Sequence, residues 1–131
     1  MAVKTIGPSG ADFTTPAAWE ASLPGTLLED EIAEITGAVD ATGASTTFNV
    51  VTSPTSRLIL RAQAGLETTY KQADGKASIA FGNFDFNIND TWSKDVRFEK
   101  IAIRLNSNFL SISNSTTFPA NADWLFQDCF F

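Results

Sequence analysis

Glycoside cleavage needs only two carboxyl groups roughly 5 to 10 Å apart across a groove, and Glu99 and Asp128 are the acids in this sequence best placed to supply them. They lie one position apart when the segments beginning at Val96 and Trp124 are superposed. The simpler account is electrostatic. Lys100 aligns with Asp128, and Lys94, Arg97 and Arg104 surround the region, so ion pairs between strands on a wet face explain these acids without catalysis. A calcium-dependent lyase would want several acids on one wall with an arginine base, and Asp85, Asp90 and Asp95 with Arg97 offer those types. Their spacing argues against it. Asp85 falls on the opposite strand face from the neighbouring phenylalanines, steps of five residues scatter side chains over different faces, and Asp90 and Asp95 flank Thr91-Trp92-Ser93, which reads as a turn.

The remaining chemistry is sparse. The chain contains 0 His, which removes imidazole-based triads, His-rich zinc sites and most general-base mechanisms near neutral pH. Cys129 has no imidazole partner and lies amid Trp124, Phe126, Phe130 and Phe131, the setting of a small buried apolar residue rather than of a nucleophile. The run Glu29-Asp30-Glu31 with Glu34 lacks calcium-loop spacing and a turn glycine, so it reads as a solvated acidic edge. No catalytic, metal-binding or cofactor-binding residue is assigned, and no cofactor is expected.

These groups must be positioned by a chain of 131 residues with 44% hydrophobic content, which suits one domain, 1–131, with a single modest core. With 1 Cys there is no intrachain disulfide. There is no signal-like N-terminus and no run of 18 apolar residues, so the expectation is a soluble chain made in the cytoplasm, without a membrane partner. The net charge of −6 is concentrated early: residues 1–40 carry seven acids and one Lys, whereas residues 41–131 carry eight of each sign. Clustered cations that would displace counterions from phosphates are missing, so nucleic acid is not expected as a partner.

Val3-Lys4-Thr5-Ile6 followed by Gly7-Pro8-Ser9-Gly10 predicts a strand running into a turn. A helix of about two turns follows, with Thr15 as cap, Pro16 at the first position and Trp19 as buried anchor, ending at Pro24-Gly25. Residues 1–30 thus form an N-terminal strand and a capping helix. Over 31–131, strands are predicted at Glu31 to Thr36, Thr47 to Thr52, Arg57 to Ala62, Ser78 to Ile88, Val96 to Arg104, Phe109 to Ser113 and Asp123 to Phe131, separated by Gly, Asn, Asp, Ser and Thr, and no second helix is evident.

Two of these strands resemble each other. Val96-Arg97-Phe98-Glu99-Lys100-Ile101-Ala102-Ile103 matches Trp124-Leu125-Phe126-Gln127-Asp128-Cys129-Phe130-Phe131 at an offset of 28 residues. Leu58-Ile59-Leu60-Arg61-Ala62 fits as an earlier rung of the same wall. Repeats of this length stack strands of successive turns in parallel, as solenoids do. The expected fold is all-β: a short right-handed parallel β-helix of about three coils with one short N-terminal capping helix. Periodicity alone is also met by an irregular β-sandwich.

The strings TIGPSGADFTTPAAWEASLPG, EIAEITG, RLILRAQAG and VRFEKIAI, with rungs ending in RFEKI and LFQDC, resemble the amino-terminal part of right-handed parallel β-helix, pectin-lyase-like proteins of phages and virions. The resemblance covers most of the chain, with Trp19 and the glycines as its sharpest markers, and implies a fold rather than an activity. Larger members continue through many more coils, whereas this chain ends after the rung at Asp123 to Phe131. A multi-rung polysaccharide groove, and the lyase or hydrolase activity that depends on one, are therefore not carried over.

From Phe81 onward there are nine Phe and two Trp, against two Phe, one Trp and one Tyr before it. Phe suits core stacking and obligate subunit contact better than sugar platforms, which favour rings with a polar handle. The last segment carries four large apolar rings where a further layer of protein would sit. The expectation is a non-enzymatic virion structural protein, most simply a capsid decoration or cement protein. It would assemble as a homotrimer on the major capsid protein, with Trp124, Phe126, Phe130 and Phe131 at the interface and Trp19 capping the opposite end. The alternative is a tail-fibre or tailspike module that binds or cleaves host polysaccharide.

Overall fold

The computed structural model describes residues 2–47, 50, 52, 55–68, 76–88, 95–105, 110–114 and 123–127. Nine strands and one short helix occur among them, in the order β1 (Ala2–Ile6), α1 (Pro16–Ala21), β2 (Glu31–Ile35), β3 (Ala38–Thr47), β4 (Leu58–Ala62), β5 (Ser78–Ile88), β6 (Asp95–Glu99), β7 (Ala102–Leu105), β8 (Leu110–Asn114) and β9 (Asp123–Gln127). The chain is all-β with two parallel sheets. One has five strands in the order β1-β2-β4-β6-β9; in the other, β5 lies between β3 on one side and both β7 and β8 on the other. Every pairing is parallel. From β2 to β7 the chain changes sheet at each strand and returns beside the strand it left two elements earlier.

Alternation builds the core between the sheets. In β4, Leu58, Leu60 and Ala62 are buried while Ile59 and Arg61 are half-exposed, the period of two that a one-sided strand requires. Register carries this pattern from strand to strand: Leu58 lies beside Val96, and Ala33, Leu60 and Phe98 form the next inward row. Val39, Ala41, Ile79, Phe81 and Ile103 of the second sheet join the same cluster. The corners are also tied between levels. Thr36 N donates to Ile6 O at 2.9 Å, Gln63 N to Ile35 O at 3.1 Å and Ser78 N to Gly37 O at 3.0 Å.

The helix forms as its residues dictate. Thr15 has extended backbone and its Oγ1 accepts from Ala18 N at 3.2 Å, with Pro16 in the first turn, where its missing N–H costs nothing. At 6 residues the helix is too short to persist alone, and tertiary contact must hold it. Trp19 is 0% exposed in the core cluster, and Glu20 Oε1 accepts from Val50 N at 3.0 Å. The helix stops at Ala21, before the expected Pro24-Gly25 boundary, because Ser22 N and Oγ both donate to Trp19 O.

Two expectations are corrected. The strand expected at Thr47 to Thr52 lies earlier, as β3 from Ala38 to Thr47, with Val50 and Thr52 outside any strand. Its small, polar residues resemble a loop, and the register shift against β5 between Ala41 and Ser45 marks a bulge. Asp40 Oδ1 accepts there from Thr42 N at 3.0 Å and Thr42 Oγ1 at 2.6 Å, a local turn inside a strand. The second correction concerns Val96 to Arg104, which is two strands in different sheets. Lys100 takes φ 59 between them, a left-handed corner that separates Asp95–Glu99 from Ala102–Leu105. The longer sheet has five strands, of which β2, β4 and β6 are each followed by a strand of the second sheet. At the first level Lys4 and Thr5 stand where later levels carry Leu60 and Arg61, so β1 escapes a search for apolar similarity.

A left-handed conformation costs a non-glycine residue roughly 1 to 2 kcal/mol. Lys100→Gly removes that cost but frees the unfolded chain, so the variant is expected to be more stable by up to about 1 kcal/mol. Lys100→Val is expected to be less stable than the parent. Urea unfolding midpoints check both.

Candidate functional site

The outward positions of the longer sheet place Thr5, Glu34, Arg61, Glu99 and Gln127 in one row across its five strands. Strand pairing explains the row, and Glu34, Arg61 and Glu99 are its half-exposed positions beside buried neighbours. Glu34 Oε2 accepts from Arg61 Nε at 3.2 Å and lies 3.1 Å from Arg61 Nη2. With the two side chains 39% and 22% exposed, this pair aligns neighbouring strands but contributes at most about 1 kcal/mol. An ion pair between strands was expected near Glu99. Lys94 and Asp128 of that region are outside the described residues; the Glu34–Arg61 pair involves a glutamate read as part of a solvated acidic edge, and the signal that would have found it is the 27-residue separation of the two residues.

The same edge is more engaged than its composition suggests. Asp30 Oδ1 accepts from Arg57 N at 2.9 Å, and Glu31 N donates to Arg57 O at 2.9 Å, so the acidic run stitches the entry to β2 against the entry to β4. Burial and the neighbouring Glu29 raise the Glu31 carboxyl above its ordinary range. The turn before β5 is tied as well: Gly65 N donates to Glu67 Oε2 at 2.8 Å and Lys76 Nζ to Gly65 O at 3.2 Å.

Glu99 lies between Arg61 and Gln127 in register, so the row runs Glu34, Arg61, Glu99 with an arginine between its two acids; Asp128 is outside the described residues. The acids proposed for calcium chemistry are separated. Asp85 belongs to β5, in register with Thr47 and Ser111 of the second sheet, whereas Asp95 and Arg97 belong to β6 of the first. Asp90 and Lys94 lie outside the described residues, as does the turn at Thr91-Trp92-Ser93; Arg104 is in β7, opposite Ala80. Register sets Asp95 beside Asp123, a juxtaposition that the 28-residue offset already contained but that similarity of apolar residues did not flag.

Between α1 and β3 a shallow cleft of about 150 Å³ is lined by Thr15, Ala17, Asp40, Ala41, Gly43 and Thr46. Its one charged group is committed elsewhere. The Thr42 hydroxyl and amide hold the Asp40 carboxyl below its usual range.

The residues expected to mediate association fall at the far end of the longer sheet. β9 pairs with β6, and Trp124 and Phe126 occupy the rows that hold Val96 and Phe98, both 0% exposed, one level back. Phe130, Phe131 and Cys129 lie outside the described residues. Trp19 is fully buried toward the other end of the chain, and its indole Nε1 has no hydrogen-bond partner among the described residues. Compared with known proteins, the chain matches no family, no curated sequence and no solved structure.

Proposed function

We propose that this chain is a non-enzymatic structural protein of a virion, built as a short right-handed parallel β-helix and joined to copies of itself through its β9 end. Right-handedness follows the rule for parallel crossover connections within one sheet, about 98% of which take that hand. A helix is supported by the return of the chain, sheet by sheet, to a position beside its previous level. The observation that carries the reading is the register of β6 and β9, which places Trp124 and Phe126 in rows that are core at the preceding levels. Large rings at the last level of such rows favour association by burial of apolar area.

In this reading Trp124, Phe126, Phe130 and Phe131 form the contact, the assembly is a closed homotrimer, and it decorates a capsid by clamping neighbouring major capsid subunits. Closure matters because a repeated head-to-tail contact would instead produce fibres. The resemblance of the N-terminal strings to phage β-helix proteins supplies the virion setting. The alternating charge of the row through Glu99 fits a structural wall better than a glycan-cleaving one.

A Trp124→Ser, Phe126→Ser double variant tests the contact. The expected outcome is a shift of the sedimenting species from trimer to monomer with the far-UV circular dichroism preserved; a variant still trimeric places the contact elsewhere. For the role on the shell, particles lacking the protein are expected to release their genome at lower temperature than complete ones, and equal release argues against cementing. Loss of glycan binding or turnover in folded Glu99→Gln and Asp128→Asn variants would move the reading to a tail module.

A further inference from the structure

The first strand of the longer sheet is an edge, and its outward backbone groups are covered by the chain that follows it. Ile6 O accepts from Thr36 N, which turns Ile6 toward β2. In a parallel pair alternate residues face opposite sides, so Val3, Thr5 and Gly7 direct their amides and carbonyls away from the sheet. Residues 10–13 fold back over them. Phe13 N donates to Thr5 O and Gly7 N to Phe13 O, each at 3.0 Å, and Phe13 forms a parallel bridge with Ile6. Asp12 fixes this strap in place: its Oδ2 accepts from Thr5 N at 2.9 Å and Thr5 Oγ1 at 3.1 Å, while its own amide donates to Thr5 Oγ1 at 2.9 Å. Gly10 makes the reversal with φ 70. The strap covers Thr5 and Gly7 and stops short of Val3, which is 44% exposed.

All five strands of this sheet run the same way, so the outer edge of β1 in one copy matches β9 of another in direction, and joining them would extend the sheet without a reversal. We propose that residues 10–13, locked by Asp12, are an autoinhibitory strap that prevents a second copy of this chain from adding its β9 to the β1 edge. Unblocked sheet edges template this kind of addition, and natural sheets cover them. The inference rests on strand order and the strap's hydrogen bonds, not on a virion role or on a trimer.

The bonds from Thr5, aided by the Lys4 charge, hold the Asp12 carboxyl below its ordinary range. Because the folded value is lowered, the stability contributed by the charge is complete above the ordinary carboxylate range and is lost as pH falls through that lowered value, while the neutral carboxyl still offers the Thr5 amide an acceptor.

Hydrogen exchange at the Thr5 amide and light scattering on Asp12→Ala, Asp12→Asn and the parent test the strap. For Asp12→Ala the expected result is at least tenfold faster exchange at Thr5, together with species that grow with concentration by whole chains and keep the native circular dichroism. Asp12→Asn retains an acceptor for the Thr5 amide and is expected to stay close to the parent. Thr5→Val, which deletes two of the Asp12 bonds while keeping a strand-forming shape, gives the same readout if Asp12→Ala does not fold. Unchanged exchange at Thr5 overturns the lock. Faster exchange with an unchanged mass distribution overturns the block, as does growth into amyloid-like aggregates that have lost the native spectrum.

Discussion

Trp19→Ala is expected to destabilise the protein by about 3–5 kcal/mol, the range for emptying a large aromatic site in a core. The site has little scope to collapse. Trp19 is among the largest fully buried side chains and belongs to α1, which at 6 residues has no stability of its own, so losing the ring also releases the helix and the Glu20 bond to Val50 N. Total stabilities of single domains are only about 5–15 kcal/mol, so this variant is expected to be partly unfolded at 37 °C. Trp19→Phe separates the causes. The indole Nε1 is buried without a partner among the described residues, and removing such a donor relieves a desolvation cost of about 1–3 kcal/mol that offsets the smaller ring volume. Its expected net loss is under about 1.5 kcal/mol, the scale of a tolerated apolar swap. Denaturant unfolding of both variants gives the comparison, and equal losses would mean that the ring's volume is not what anchors the helix.

Gly7→Ala is expected to cost about 1–3 kcal/mol through overpacking. An added Cβ would lie 1.9 Å from Thr36 Oγ1 and 3.3 Å from Thr36 Cβ, at the corner where Thr36 N and Oγ1 both point to Ile6 O. No positive φ is involved; the constraint is the close approach of two successive levels. Thr36 is short and branched at Cβ, so its hydroxyl can move only by changing rotamer, which gives up its bond to Ile6 O. The double variant with Thr36→Ala is therefore expected to recover part of the loss, a coupling visible in a double-mutant cycle on unfolding free energies. Strict additivity would show that the two levels are not in contact there.

The parts of the fold legible in the sequence were those where one local rule acts without competition. Thr15, Pro16 and Trp19 specify a capped, anchored helix, and Ser78 to Ile88 is a strand with the bounds its residues predict. The alignment of Val96 to Glu99 with Trp124 to Gln127 is the register in which β6 and β9 pair, and Leu58 joins the same row. The parts that were not legible depend on contacts distant in sequence. β3 is a strand because β5 holds it, despite the local competition of Asp40 with Thr42, and nothing in Ala38 to Thr47 signals that partner. The break at Lys100 was missed although two successive polar residues, Glu99 and Lys100, interrupt the alternation, with Val96 and Phe98 buried before them and Ile101 and Ile103 after. At the candidate site, the aromatic rows of β9 were readable from spacing, whereas the Glu34–Arg61 pair and the Asp12 strap needed the register of strands 27 or more residues apart, or a return of the chain on itself.

The association of copies through the β9 end is tested most directly by the solution mass of the purified chain, measured by light scattering across a dilution series with tryptophan fluorescence recorded on the same samples. The account predicts a mass of three chains that holds over the series, with emission shifted to the blue and shielded from quencher, and with both changing together when dilution finally separates the subunits. A folded monomer at all concentrations, with shielding unchanged by dilution, would contradict it.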